Sequence, residues 1–162
     1  MIIGVTGDTH NNLKNIEKIC SIFNENGAEL VFHTGDISLP KSLLKFERLN
    51  CPLISVFGNN DIEEKDDLKR AASKFDCQLF DEPYFLEINN VKISIVHHPS
   101  LIDKNMLNNS DIVLHGHTHR YNLERKENCI IFNPGECAGM MLGKNQVGLI
   151  DLKLIEPKII NF

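Results

Sequence analysis

Asp8 and His10 in D-T-H, Asp36 after Gly35, Asn59 and Asp61 in G-N-N-D, His97 beside His98, and His117 and His119 in G-H-T-H place oxygen and nitrogen donors at five separate points of the chain. Each group directly follows a short apolar run. In open α/β sheets that place, beyond the carboxyl ends of the strands, is where ligands bind, so the five groups can converge on one rim. Asp8 and Asp36 offer carboxylates, Asn59 an amide oxygen, and His10, His97, His117 and His119 imidazoles, seven donors in all. Such a mixed set suits first-row divalent metals: Mn, Fe, Co, Ni or Zn. Seven donors are too many for one ion. With one carboxylate shared they make two sites of four, and two dications less two carboxylates leave a charge of about +2. Paired metals about 3.5 to 4 Å apart acidify a water and clamp the oxygens of an in-line displacement at phosphorus. Gly7, Gly35, Gly58 and Gly116 sit where the backbone must turn sharply off a strand.

The elements that must position these donors follow from the apolar patterning. IIGVT at 2–6, LVFH at 30–33, LISVF at 53–57, VKISIV at 91–96, DIVLH at 111–115 and CIIF at 129–132 read as strands. Their near-continuous hydrophobicity predicts sheets covered on both faces. Leu13 to Glu25 sets Leu13, Ile16, Ile19, Cys20 and Phe23 on one helical face, with Asn12 as N-cap and Gly27 as the stop. Further helices are expected at 41–49 and 63–75, and either a short helix or a loop at 101–108. The first half is thus β-α-β-α-β-α. From Tyr84 the pattern changes to a hairpin around Asn89-Asn90, and the later strands are expected to be largely antiparallel. No repeat or linker interrupts the 162 residues, so one layered α/β domain on two packed sheets is expected over 1–162.

The ordered series D-x-H, G-D, G-N-x-D, a His after a strand, G-H-T-H and N-P-G resembles the calcineurin-like metallophosphoesterases, above all the small single-domain archaeal and bacterial phosphodiesterases. The resemblance runs from Ile2 to Gly135 and implies a four-layer α/β/β/α sandwich. It implies that Asp8, His10 and His119 hold one divalent metal, that Asn59, His97 and His117 hold the other, and that Asp36 bridges them. Among these, His10, Asn59 and His97, with Asp61 orienting its neighbours, would serve catalysis by a water attacking the phosphoryl group. Asn133 to Gly135 would shape the rim. Two positions depart from the family pattern. Many phosphomonoesterases of the superfamily carry His in the third place of G-N-H-D/E, where it assists the leaving group, and this chain has Asn60. An amide is no general acid, which slows departure of a poor leaving group by about 10² to 10⁴ and favours phosphodiesters over unactivated monoesters. Relatives usually place Gly where His98 stands. His98 either replaces the missing acid, since imidazole titrates near neutrality, or points away from the site. Asn60, His98 and Arg120 are the expected substrate-facing residues, with Arg120 reading equally as an ordinary exposed arginine.

Composition bounds the rest. An apolar share of 42%, a charged share of 24% and a formal charge of -5 fit a soluble globular chain and argue against a long duplex nucleic acid as partner. No apolar run is long enough to span a membrane, and the amino terminus lacks the pattern of a secretory signal, so a cytoplasmic location is expected. Cys20, Cys51, Cys77, Cys129 and Cys137 are an odd set without C-x-x-C, which points to reduced, mostly buried thiols. Cys137, just past N-P-G, is either a packed small residue or a redox-sensitive thiol at the rim. His33 and His115 lie inside apolar runs and read as buried structural rings. A small phosphodiester is the expected substrate, and a homo-oligomer is compatible with the sequence. The rivals are a phosphoesterase-like binding scaffold, as in the trafficking subunit of retromer, which has lost part of its metal set, and a nuclease limited to short or single-stranded pieces.

Overall fold

The first half alternates strands and helices. β1 (Ile2–Thr6), α1 (Leu13–Glu25), β2 (Leu30–His33), α2 (Pro40–Leu43), β3 (Leu53–Val56), α3 (Lys65–Ala72) and β4 (Cys77–Phe80) follow one another in the computed structural model, which describes all residues, Met1–Phe162. Next come β5 (Tyr84–Ile88), β6 (Val91–Ile95), α4 (Lys104–Asn109), β7 (Ile112–Leu114), β8 (Asn122–Lys126), β9 (Cys129–Asn133), β10 (Gln146–Asp151) and β11 (Glu156–Asn161). They form a six-stranded sheet ordered β11-β10-β1-β2-β3-β4 and a five-stranded sheet ordered β5-β6-β7-β9-β8.

Three apolar layers hold this together. Ile3, Val5, Phe32 and Val56 of the first sheet meet Ile93, Ile95, Ile112, Leu114 and Phe132 of the second. On the outer face of the first sheet, Ile16, Ile19 and Phe23 of α1 pack with Phe46 and Leu68. Met106 of α4 packs on Val96, Val113 and Ile131 outside the second sheet. The result is the expected α/β/β/α sandwich. No helix is long and apolar enough to cross a membrane.

Helix α1 matches its predicted bounds because both ends are chemically marked. The Asn12 side chain accepts from Asn15 N at 3.1 Å, and Gly27 takes a φ of +66°. The other predicted helices are shorter. The stretch expected as a helix over 41–49 is α2 followed by a 3-10 turn at Leu44–Arg48, a winding that brings Leu43 and Phe46, three residues apart, into the core together. The one expected over 63–75 begins at Lys65, because Asn59–Glu64 is a 3-10 segment pinned by the Asp61 carboxylate. Over 101–108, a 3-10 turn at Pro99–Leu101 precedes α4, which Asp103 caps by accepting from Met106 N at 2.7 Å.

The later strands are largely antiparallel, as expected, in four of their six pairings. β5–β6, β8–β9, β1–β10 and β10–β11 are antiparallel, but β6–β7 and β7–β9 are parallel. A parallel pair needs a long crossover, and residues 96–111, with α4, supply it between β6 and β7. This matters for function, since β1, β2, β3, β6 and β7 then deliver the loops after them to one rim.

Candidate metal centre

Those loops bring the seven donors together. His10 Nε2 lies 3.1 Å from His119 Nε2, and Asp8 Oδ1 lies 4.0 Å from the same atom. His97 Nε2 lies 2.9 Å from Asn59 Oδ1 and 3.2 Å from His117 Nδ1. Asp36 stands between the two groups, its Oδ2 3.6 Å from His10 Nε2 and 3.5 Å from His97 Nε2. Asp8, Asp36 and His97 are all but fully buried, while His10, His117 and His119 are partly open to solvent.

Local backbone geometry aims these side chains. Asp8, His10, Asp36, His117 and His119 all have positive φ, between 39° and 68°. Non-glycine residues enter that region at a cost of about 1 to 3 kcal/mol and cluster there at functional sites. The neighbouring glycines play a different part from the one their sequence context suggests. Gly7, Gly58 and Gly116 do not take positive φ, unlike Gly35 at +97°. Their task is close approach: a Cβ on Gly116 would stand 2.8 Å from Asp8 Oδ2, and one on Gly58 would stand 2.5 Å from Asp36 N. Backbone bonds tie the loops to each other, Asp8 N donating to Gly35 O at 2.8 Å and Gly116 N to His97 O at 3.1 Å.

The donor chemistry fits cations. His97 Nδ1 donates to the Thr34 carbonyl at 2.9 Å, which leaves Nε2 of the neutral ring with a bare lone pair. That lone pair faces Asn59 Oδ1, itself an acceptor. His119 repeats the pattern, since its Nδ1 donates to Glu136 Oε2 at 2.6 Å and its Nε2 points at His10 Nε2. The two acceptors His97 Nε2 and Asn59 Oδ1, 2.9 Å apart, repel unless a cation stands between them. Burial also pushes the Asp8 carboxyl up to about 6, against the pull of His97 and His119, and holds the imidazoles of His10 and His117 below their ordinary range. Clusters of Asp8, His10 and His119 and of Asp8, Asp36 and His97 have spacing suited to metal ions.

The remaining sequence-marked residues take distinct places. Asp61 is fully buried and accepts from Asp36 N and Gly58 N at 2.8 Å and from Ser38 N at 2.6 Å. It therefore acts on the loops that carry Asp36 and Asn59 and does not reach substrate. It also does not cap the following helix, whose N-cap is Glu64. The Asn60 amide donates to Asp36 Oδ2 at 2.6 Å, so this side chain, expected to face substrate, steadies the central carboxylate while lining the cavity beside Asn59. The His98 ring centroid lies 4.2 Å from that of His117, with Nδ1 accepting from Ser100 Oγ at 2.7 Å. Arg120 is exposed and lines, together with His119, a cavity beside the seven donors. Asn133 Nδ2 holds the Gly116 carbonyl at 3.1 Å, and its Oδ1 accepts from Gly135 N at 2.8 Å, which fixes the rim.

His33 and His115 are buried and lie outside the donor set, as expected. His33 does more than pack: its Nδ1 accepts from Gly35 N at 3.1 Å and its Nε2 meets Thr9 Oγ1 at 3.1 Å, so one ring joins the D-T-H and G-D loops. Cys137 is a packed thiol, donating to Gly7 O at 2.7 Å, with burial pushing it up to about 12. Glu136 is the contact that sequence reasoning missed. It is 1% exposed, and its other oxygen, Oε1, accepts from Met140 N at 2.8 Å. The only sequence signal is an acid directly after N-P-G, within reach of the G-H-T-H loop through the β8–β9 hairpin.

Comparison with known proteins agrees with this geometry. The profile of the calcineurin-like phosphoesterase superfamily domain matches residues 1–154. A phosphodiesterase of Methanocaldococcus jannaschii is 35% identical over 157 residues, covering 93% of each chain. The solved structure of an archaeal phosphodiesterase superposes with a TM-score of 0.87 at 33% identity, covering 100% of both chains. At the level of fold alone, Vps29 of Entamoeba histolytica, solved with zinc, gives a TM-score of 0.68 at 17% identity over 99% of each chain. The residues at the rim, the two-sheet sandwich and these matches agree: the chain belongs to the calcineurin-like phosphoesterase superfamily and is a phosphoester hydrolase.

Proposed function

We propose that the chain hydrolyses phosphodiesters at a centre of two divalent cations. Asp8, His10 and His119 would hold one, Asn59, His97 and His117 the other, with Asp36 between them. The observation that carries this reading is the convergence of His97 Nε2, Asn59 Oδ1 and His117 Nδ1, all within 3.2 Å of one another, with the bare lone pair of His97 Nε2 turned to the Asn59 oxygen. When bound, the metals supply the Lewis acidity that activates the attacking water and draws the phosphoryl oxygens. The chain's own residues do the positioning. Thr34 and Glu136 hold His97 and His119 in the tautomers whose Nε2 faces inward, and Asp61 holds the loops of Asp36 and Asn59 in place.

The preference for diesters rests on Asn60. Its amide is committed to Asp36 and supplies no proton, so a leaving alcohol must depart largely unassisted. Diesters with acidic leaving groups tolerate that; alkyl monoesters do not, by about 10² to 10⁴. Metal-stripped protein titrated with Mn²⁺, Ni²⁺ or Zn²⁺ against bis(p-nitrophenyl) phosphate, beside p-nitrophenyl phosphate and the His97→Ala variant, tests site and reaction together. Metal-dependent cleavage of the diester, weak on the monoester and lost in the variant, is expected. Bound metal with no turnover of either ester would move the function to a binding scaffold.

A further inference from the structure

A diester has two ester arms that must leave the phosphorus in different directions, and the centre has cavities on two flanks with opposite charge. One, of about 460 Å³, opens beside His119 and is lined by Arg120, Tyr121, Lys144 and Gln146. The other, of about 670 Å³, opens beside Asn59 and is lined by Ser38, Asn60, Glu63 and Glu64. The charges on both walls are free. The ion-paired lysines and arginines of the chain are Lys45, Arg48, Lys65, Arg70 and Lys126, so neither Arg120 nor Lys144 has a carboxylate partner. Glu136, the carboxylate on that wall, is buried with both oxygens engaged by His119 and the Met140 amide. No lysine or arginine lines the cavity of Glu63 and Glu64.

Resting on the diesterase reading above, we infer that the substrate is a diester of unequal charge. An alcohol carrying a further anion, such as a second phosphate, lies in the Arg120–Lys144 cavity, and an uncharged alcohol lies on the Glu63–Glu64 side. Two cations on one flank hold a phosphate by charge-assisted hydrogen bonds. Two carboxylates on the other repel it. Tyr121, 50% exposed at the cation-lined wall, offers a flat face to a planar part of the same arm.

The test compares two substrates with the same leaving group. These are the p-nitrophenyl ester of thymidine 5′-phosphate and the same ester carrying a 3′-phosphate, each with the metal-loaded protein. The 3′-phosphate should raise kcat/KM about tenfold, mainly through KM, and the advantage should shrink as salt rises. Lys144→Glu, at an exposed position, should abolish or invert it. Equal kcat/KM on the two esters in an active enzyme overturns the inference and leaves diester hydrolysis standing. A 3′-phosphate advantage that survives in Lys144→Glu also overturns it. Failure to hydrolyse either ester or bis(p-nitrophenyl) phosphate overturns both readings.

Discussion

Single contacts decide which lone pair each imidazole presents. The Glu136 carboxylate on His119 Nδ1 is of the kind that orients a metal-binding histidine, and Glu136→Gln should weaken metal affinity about 10- to 100-fold, measured by competition with a chelator. His98 lies against His117 with its Nε2 free of protein partners. If it donates the proton that Asn60 cannot, His98→Ala removes the alkaline fall of the pH–rate profile, because a general acid fails once deprotonated; an unchanged profile excludes that role. His33 makes a stability prediction. Burial holds it down at about 3 against an ordinary 6.5, so the folded state keeps it neutral while the unfolded state binds a proton below 6.5. Its stabilisation is present above pH 6.5 and is lost as pH falls towards 3, by about 2 kcal/mol between pH 7 and 5. Asp8 runs the opposite way in metal-free protein. Raised from 3.8 to about 6, its contribution is present below pH 4 and lost as pH climbs through 6. Denaturant titrations of His33→Gln and Asp8→Asn should therefore change the pH slope in opposite senses. The seven donors were legible in sequence because each sits in a motif of its own after a strand. Glu136 was not, since an acid after a turn looks like any surface acid until the fold sets it on His119. The Asn60–Asp36 bond was hidden for the same reason.

At the scale of elements, the rim depends on strand ends whose loops touch. Gly58→Ala would drive a Cβ against the Asp36 backbone, and a shift of that loop should lower metal-dependent activity at least tenfold while costing about 1 to 3 kcal/mol of stability. Asp61→Ala would strand three amide donors, at Asp36, Ser38 and Gly58. Each buried donor left unpaired costs about 1 to 3 kcal/mol, so the melting temperature should drop steeply, with Asp61→Asn in between. The strands that carry the site were readable because they are central and apolar on both faces. The unread strands β4, β8 and β11 are sheet edges, where polar residues such as those of NLERK and a proline, Pro157, replace the apolar pattern; β10 is weakened by Gly148. Parallel pairing of β6, β7 and β9 is a property of partners far apart in sequence, which patterning within one strand does not encode. The left-handed backbone at five donor residues was equally silent in sequence, because Asp and His mark that region far less clearly than glycine does.

For the whole molecule, the facing acceptors are a load that cations relieve. Metal at 100 times its dissociation constant should stabilise the fold by about 2.7 kcal/mol, which for a chain of this size raises the melting temperature by about 5 to 10 °C and is undone by a chelator. Strand β1 carries a further consequence. It is paired on one side by β2, close behind it, and on the other by β10, at residues 146–151. During synthesis the second edge of the first strand stays bare until residues 146–151 have left the ribosome, and His117 and His119 emerge about a hundred residues after His10. The amino-terminal half alone therefore offers Asp8, His10, Asp36 and Asn59 on an unfinished sheet. Full metal affinity is therefore expected only once the G-H-T-H loop and β10 have joined the sheet.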